Sequence, residues 1–271
     1  MVAKLRLAVL TAYDYEAALV RRCIQAQGRQ TTPVGVLWQG ARSHCQIVLL
    51  RCGMGPNRAR QAATWLAASY RLQGMISVGF AGGLQPELHT GDAVLAQQIQ
   101  ACSSPSMHAP VTFTAPMTPD PSLLHLAEQA ATATTFAFYG GALLSVDAVI
   151  TEVTLKQHLG QLSGALAIDM EAYSIARIAE QQQLPFVSLK TVFDAHDDSL
   201  PLSITQCAAS DGTLCANSLV YTLLRHPTQV AHLPRLRQKA KTAGQHLGDW
   251  LQQFLTLFMA QGGRSSQSCR H

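Results

Sequence analysis

Three carboxylates set the first question posed by this sequence. Glu171 closes the segment Leu166-Ala167-Ile168-Asp169-Met170-Glu171, and Asp194 closes the β-rich run Phe186–Phe193. Glu16 follows shortly after the apolar run Leu5–Thr11. Each acid therefore stands where a buried strand gives way to the next element, and in α/β sheets such strand ends are where ligands bind. Carboxylates so placed can hold hydroxyl groups, stabilise developing positive charge or pass protons. Position alone leaves a plainer reading open: Glu16 as a surface acid matched to a helix dipole, Glu171 and Asp194 as capping acids.

Two glycine-rich stretches also follow strands. Cys52-Gly53-Met54-Gly55-Pro56-Asn57 reads as a tight turn, with Pro opening the next helix and backbone N–H groups free to face an anion or hydroxyl. G-x-G is equally the mark of an ordinary turn. Gly79-Phe80-Ala81-Gly82-Gly83-Leu84 follows the strand Gly74–Val78, and glycine there permits close backbone approach. His196, beside Asp194, Asp197 and Asp198, lacks the spacing of metal ligands, so that run is expected to be a solvated loop and no metal is expected.

The elements that must position these groups alternate along the chain. Strands are predicted at 5–11, 34–37, 46–50, 74–78, 93–96, 136–144, 166–168 and 186–193. Helices are predicted from Tyr13 to about Gln27, ended by Gly28, and from about Pro56 to Tyr70. Further helices are predicted from Ser122 (as cap) to Ala133, over 152–159, after Glu171, over 214–224, and from Pro234 onward. Met170, Ile175, Ile178 and Ala179 are expected on one face of the helix after Glu171. Residues 101–121, with His108, form the longest irregular stretch, as a lid or disordered insertion would. Alternating strands and helices across residues 5–193 predict a single α/β domain. Residues 1–230 are expected to form the catalytic domain, 231–261 an amphipathic helix packed on or extending it, and 262–271 a disordered tail.

Composition limits the function. The chain has 271 residues, 48% of them apolar and 13% charged, with a formal charge of +4. Charge is well below the roughly 25% of an average soluble protein. A full core is available, and surface hidden in an oligomer is one expectation. No dense Lys/Arg block is present, which argues against nucleic acid as a partner. Seven cysteines without a C-x-x-C pair read as free thiols of a reducing cytoplasm. No signal segment or spanning helix is predicted. The last helix combines a basic start (Arg235, Arg237, Lys239, Lys241) with an apolar stripe through Leu247, Trp250 and Phe254. It either lies at a membrane surface or packs on the core or a partner.

Taken together, Ala12-Tyr13-Asp14-Tyr15-Glu16, Gly53-Met54-Gly55, Gly79–Leu84, Gly91-Asp92, Asp169-Met170-Glu171-Ala172 and Phe193-Asp194 resemble the purine nucleoside phosphorylase/uridine phosphorylase superfamily. Within it, the 23-residue spacing from Glu171 to Asp194 resembles the methylthioadenosine/S-adenosylhomocysteine nucleosidases. The segments Ala167–Arg177, Asp194–Pro201 and Leu223–Pro227 are similar to the hopanoid-associated branch, which removes adenine from adenosylhopane.

The resemblance implies a nucleoside phosphorylase-like fold (a single-domain three-layer sandwich around a twisted mixed central sheet), no cofactor, a habit of homo-oligomers, and cleavage of the N-glycosidic bond of a 5′-substituted adenosine. It casts Asp194 as the acid that protonates the leaving purine and Glu16 as the group that orients and deprotonates water. Glu171 would bind the ribose hydroxyls, with Asp169 and Met170 beside the sugar. Phe80, Ala81, Gly82, Val149 and Ile150 would line the substrate site, and Gly53, Gly55 and Arg58 the water or phosphate site. Phe80 departs from a small hydroxyl residue, and Val149-Ile150 from a purine-stacking aromatic. The phosphate-holding arginines of true phosphorylases have no clear counterpart, with Ser77 near one such place, and this favours water as acceptor. Arg58 and Arg60 are the candidates for phosphate. A lipid-linked nucleoside would suit a peripheral membrane contact. The departures also admit a nucleoside- or lipid-binding module without catalysis.

Overall fold

A computed structural model describes residues 5–42, 45–199 and 233–265. Nine strands and six helices are defined among them. In chain order they are β1 (Leu5–Thr11), α1 (Asp14–Cys23), β2 (Gln27–Thr32), β3 (Gly35–Arg42), β4 (Cys45–Arg51), α2 (Pro56–Ser69), β5 (Gly74–Gly83) and β6 (Ala93–Cys102). Then follow α3 (Pro121–Thr132), β7 (Phe138–Val146), α4 (Val153–Ser163), β8 (Ala167–Asp169), α5 (Ala172–Gln181), β9 (Phe186–Asp194) and α6 (Leu233–Ser265).

The strands form one mixed sheet in the order β2-β3-β4-β1-β5-β8-β7-β6-β9, and β9 also pairs with β5. β1 runs parallel to β4 and β5, and β5 parallel to β9, so these four strand ends open on the same side. β8 meets β5 antiparallel through Gly82 and Gly83. The strands β5, β8, β7, β6 and β9 thus return on themselves, and this curl brings the ends of β8 and β9 to the end of β5.

Alternation along the strands sorts the core into layers, because successive side chains point to opposite faces. Leu7, Val9, Ile76, Val78, Val187 and Leu189 pack with α1, α3 and α6. Ala8, Leu10, Val48, Leu50, Met75 and Val192 pack with α2 and α5. A smaller cluster under α4 joins Leu84, Leu144, Val146, Ile150, Leu159 and Ile168. The result is the expected α/β three-layer arrangement around a mixed sheet.

Several local expectations are corrected. α1 stops at Cys23, and Gln27–Thr32 is an exposed edge strand; its polar sequence carries no apolar alternation to mark it. Gly79–Gly83 continues β5 instead of turning, since β8 and β9 pair with it there. β3 runs unbroken through Gln39–Arg42. α3 is capped by Asp120, whose carboxylate accepts from Ser122 and Leu123, with Pro121 at the first helical position. Met170 precedes α5 and does not share its apolar face. α6 continues to Ser265, past Gly262. The helix expected over 214–224 and the segment Leu223–Pro227 lie outside the described residues.

The stripe of α6 is taken up by the protein itself. Ala243, Leu247, Trp250, Leu251 and Phe254 are buried in the core with α1 and α3. The Trp250 indole N–H donates to the Ala127 carbonyl at 2.8 Å. These side chains are not available to a membrane surface. No helix among the described residues is long and apolar enough to cross a membrane.

Candidate active site

Glu16 is 2% exposed and sits in the first turn of α1, just beyond the end of β1. Its Oε2 accepts from the backbone N–H of Ala12 (2.9 Å) and Tyr13 (3.0 Å), and its Oε1 from Phe80 (2.8 Å). The last bond crosses from α1 to β5, so the carboxylate ties the segment after β1 to Phe80 within β5. Gly79 makes room for it: a Cβ there would lie 2.6 Å from Oε1. Burial pushes the Glu16 pKa up; Lys190 and the three N–H donors pull against it. A carboxylate offers about four acceptor positions, so one remains free.

Glu171 comes from the other side of the sheet. It is the N-cap residue of α5, at the positive end of that helix, following the end of β8. Its Oε1 accepts from the Gly55 N–H at 2.8 Å. Burial first, and the nearby charge of Asp169 second, raise its pKa to about 7. It thus exchanges a proton near neutrality.

Glu16 and Glu171 line one hollow with Thr11, Cys52, Ser77 and Lys190. The space it encloses is too small to admit a water molecule, far below the roughly 300 Å³ at which small-molecule sites begin. It encloses the meeting point of two acids and not a whole ligand. Asp194 is outside its lining. The phenol of Tyr13 joins them: its pKa is raised by burial and then by the charges of Glu171, Glu16 and Asp194.

Asp194 ends β9, 5% exposed. A Cβ on Gly82 would lie 3.2 Å from its Oδ2, which ties it to the end of β5. The Lys156 ammonium of α4 donates to that same oxygen at 2.6 Å. Burial pushes the Asp194 pKa up, and Lys156 pulls it down. A buried acid held above its usual range is suited to delivering a proton.

A family model described as the phosphorylase superfamily matches residues 6–224. The chain belongs to this superfamily. The fold of this superfamily enzyme recurs in solved structures of 5′-methylthioadenosine/S-adenosylhomocysteine nucleosidase. With that of Helicobacter pylori it shares 18% identity at a TM-score of 0.69, over 92% of this chain and 98% of the other. With that of Neisseria meningitidis the values are 21% and 0.67, over 93% and 99%. The futalosine hydrolase of Helicobacter pylori aligns at 18% identity and a TM-score of 0.68, over 92% and 97%.

The remaining residues named from the sequence fall as follows in the superfamily member. Asp169 is buried, bonded to Ser145 and the Ala172 N–H (2.9 Å) and ion-paired with Lys190 at 2.8 Å; it supports Glu171 from beneath. Met170 is half-buried, its methyl 3.9 Å from where a Gly55 Cβ would stand. The Phe80 ring lies between Tyr15 and Phe193, at centroid distances of 6.0 and 5.7 Å. Ala81 points the other way, into the core with α2 and α5. Ile150 is buried under α4, and Val149 is half-buried beside it. Gly53 lies in the turn after β4 at φ +86°. Arg58 is half-buried on α2 and outside the lining of the hollow. The run after Asp194 is not uniformly solvated as expected. Asp197 is exposed, but Asp198 accepts from Ala195 (3.0 Å), Arg235 (3.1 Å) and Lys239. No metal-holding group of three His, Cys, Asp or Glu residues exists among the described residues.

Sequence reasoning missed Lys190, Lys156 and Tyr13 as parts of the site. Lys190 left a signal: a lysine inside the apolar run Phe186–Phe193 is buried only if paired. Burial opposes its charge, but Asp169, Glu171 and Glu16 outweigh burial and hold its pKa up. Lys156 left none, because one lysine in a short helix reads as an ordinary surface residue.

Proposed function

We propose that this protein hydrolyses the N-glycosidic bond of a 5′-substituted adenosine and releases adenine. The observation that carries the reading is Glu16: a buried carboxylate with three backbone N–H partners and one acceptor position left, lining a hollow with Glu171. Through that position the carboxylate would orient one water molecule and deprotonate it for attack on C1′ of the sugar. Glu171 would hold the ribose hydroxyls and answer the positive charge of an oxocarbenium-like sugar. Asp194 would protonate the purine as the bond to C1′ breaks, an effect typically worth about 10²–10⁴-fold. Its electron pair leaves with the base.

Water is favoured over phosphate because the cation in the lining of the hollow, Lys190, is already engaged by Asp169. Arg58 stands outside that lining. For the 5′ group, the row Tyr15, Phe80, Phe193 offers an apolar neighbour, which supports adenosylhopane as the substrate. Methylthioadenosine and S-adenosylhomocysteine form the second reading, supported by the solved nucleosidases that share the fold.

The test is adenine release from adenosylhopane, methylthioadenosine and S-adenosylhomocysteine, each with and without phosphate. Release without phosphate from at least one is expected, fastest from adenosylhopane. Folded protein that frees adenine from none of them defeats the reading, and strict dependence on phosphate overturns the choice of water.

A further inference from the structure

Lys156 has no part in the reaction described so far, yet it is 1% exposed and among the largest fully buried side chains. A lone ammonium in such surroundings is strongly disfavoured unless paired and hydrogen-bonded. Its Nζ donates to Asp194 Oδ2 at 2.6 Å and to the carbonyl of Ala195, with the carbonyls of Asp194 and Asp198 at 3.5 Å. Partners drawn from β9 and the loop after it thus converge on one side chain of α4.

We propose that Lys156 is a positioning residue for the acid Asp194: it occupies Oδ2, leaves Oδ1 to carry the proton, and meets the carboxylate charge that forms as that proton leaves. The inference rests on the nucleosidase reading. In the step, the proton passes from Oδ1 to a ring nitrogen of adenine while the bond to C1′ breaks and its electron pair stays with the base. The neutral acid beside Lys156 becomes a carboxylate paired with it.

Among the described residues, the groups that face Asp194 come from four places. They are Lys156 on α4, Lys239 on α6, Asp198 in the following loop and the Tyr13 phenol before α1. Lys239 is engaged by Asp198. Lys156 alone among these cations touches the Asp194 carboxylate. Removing it therefore raises the pKa of that carboxyl, since an opposite charge within a few ångströms lowers a carboxyl pKa by about 1–3 units.

The experiment is the pH profile of kcat and KM for methylthioadenosine hydrolysis, or for adenosylhopane if only that is cleaved. Lys156→Met is expected to lower kcat about 10- to 100-fold with little change in KM. Its alkaline limb, where Asp194 loses its proton, should move up by about 1–3 pH units. Lys156→Arg should bring the limb back towards the wild-type position. In an Asp194→Asn background, Lys156→Met should cost nothing more. A limb that stays in place, or a further loss in the Asp194→Asn background, overturns the proposal. If Lys156→Met does not fold, Lys156→Gln carries the same reading of the limb. Wild-type protein that frees no adenine defeats this inference together with the nucleosidase reading. Wild-type turnover with an unmoved limb defeats this inference alone.

Discussion

The backbone N–H of Gly55 donates to the Glu171 carboxylate at 2.8 Å, across 116 positions of chain. One partner lies in the turn after β4, the other caps α5, and neither acts on the other until the sheet has formed between them. The bond fixes the direction of a carboxylate proposed to hold ribose.

Gly55 adopts φ +97°. A Cβ there would meet only the Met170 methyl, at 3.9 Å, so space is not the constraint. The backbone is: at φ +97° and ψ 161° it lies in a region open essentially to glycine alone, at about 1–3 kcal/mol for a residue with a side chain. Gly55→Ala should lose about that much stability in urea unfolding, and the shifted N–H should raise KM for the nucleoside.

Both oxygens of Glu16 accept from backbone N–H groups. In Glu16→Gln one amide NH₂ must therefore face a donor, at a cost of about 1–3 kcal/mol for the group left unpaired. The variant also lacks a base. Stability should fall by that amount and kcat by about 10²–10⁴-fold. Steady-state kinetics at saturating nucleoside, with urea unfolding alongside, separates the two losses.

Glu171 predicts a pH dependence of stability. Its pKa is raised from an ordinary 4.5 to about 7 on folding. The folded chain thus binds more protons than the unfolded chain between those values, and stability falls as pH rises through that window. The contribution is present below about pH 4.5 and gone above about pH 7. Glu171→Gln keeps an oxygen for the Gly55 N–H and has no proton to lose. Unfolding free energy measured from pH 4.5 to 8 should therefore fall less steeply in the variant than in the wild type.

Trp250 has 0% exposure and its indole N–H is satisfied by Ala127. Trp250→Ala should destabilise the protein by about 3–5 kcal/mol, as large-to-small changes in well-packed cores do. Because this stripe is already buried, full-length protein should remain in the unbound fraction in liposome flotation. Flotation of the intact chain would contradict the packing of α6.

Local pattern made much of the fold legible. The apolar runs that became β1, β4, β8 and β9, and the amphipathic segments that became α2 and α5, follow from side-chain period alone. Failures came where tertiary pairing overrode local signals. Gln27–Thr32 is a strand only because β3 lies beside it, and Gly79–Gly83 is a strand because β8 and β9 hold it extended.

The site divides in the same way. Strand ends pointed to Glu16, Glu171 and Asp194 because chain order and the apolar runs before them are written in the sequence. Burial, partners and protonation are not, since they depend on what lies across the sheet. Lys190 beneath Asp169, Lys156 against Asp194 and the Phe80 N–H on Glu16 join residues from separate elements. The curl of β5, β8, β7, β6 and β9 brings them within a hydrogen bond, and only at that distance, away from water, can one group set the charge of another.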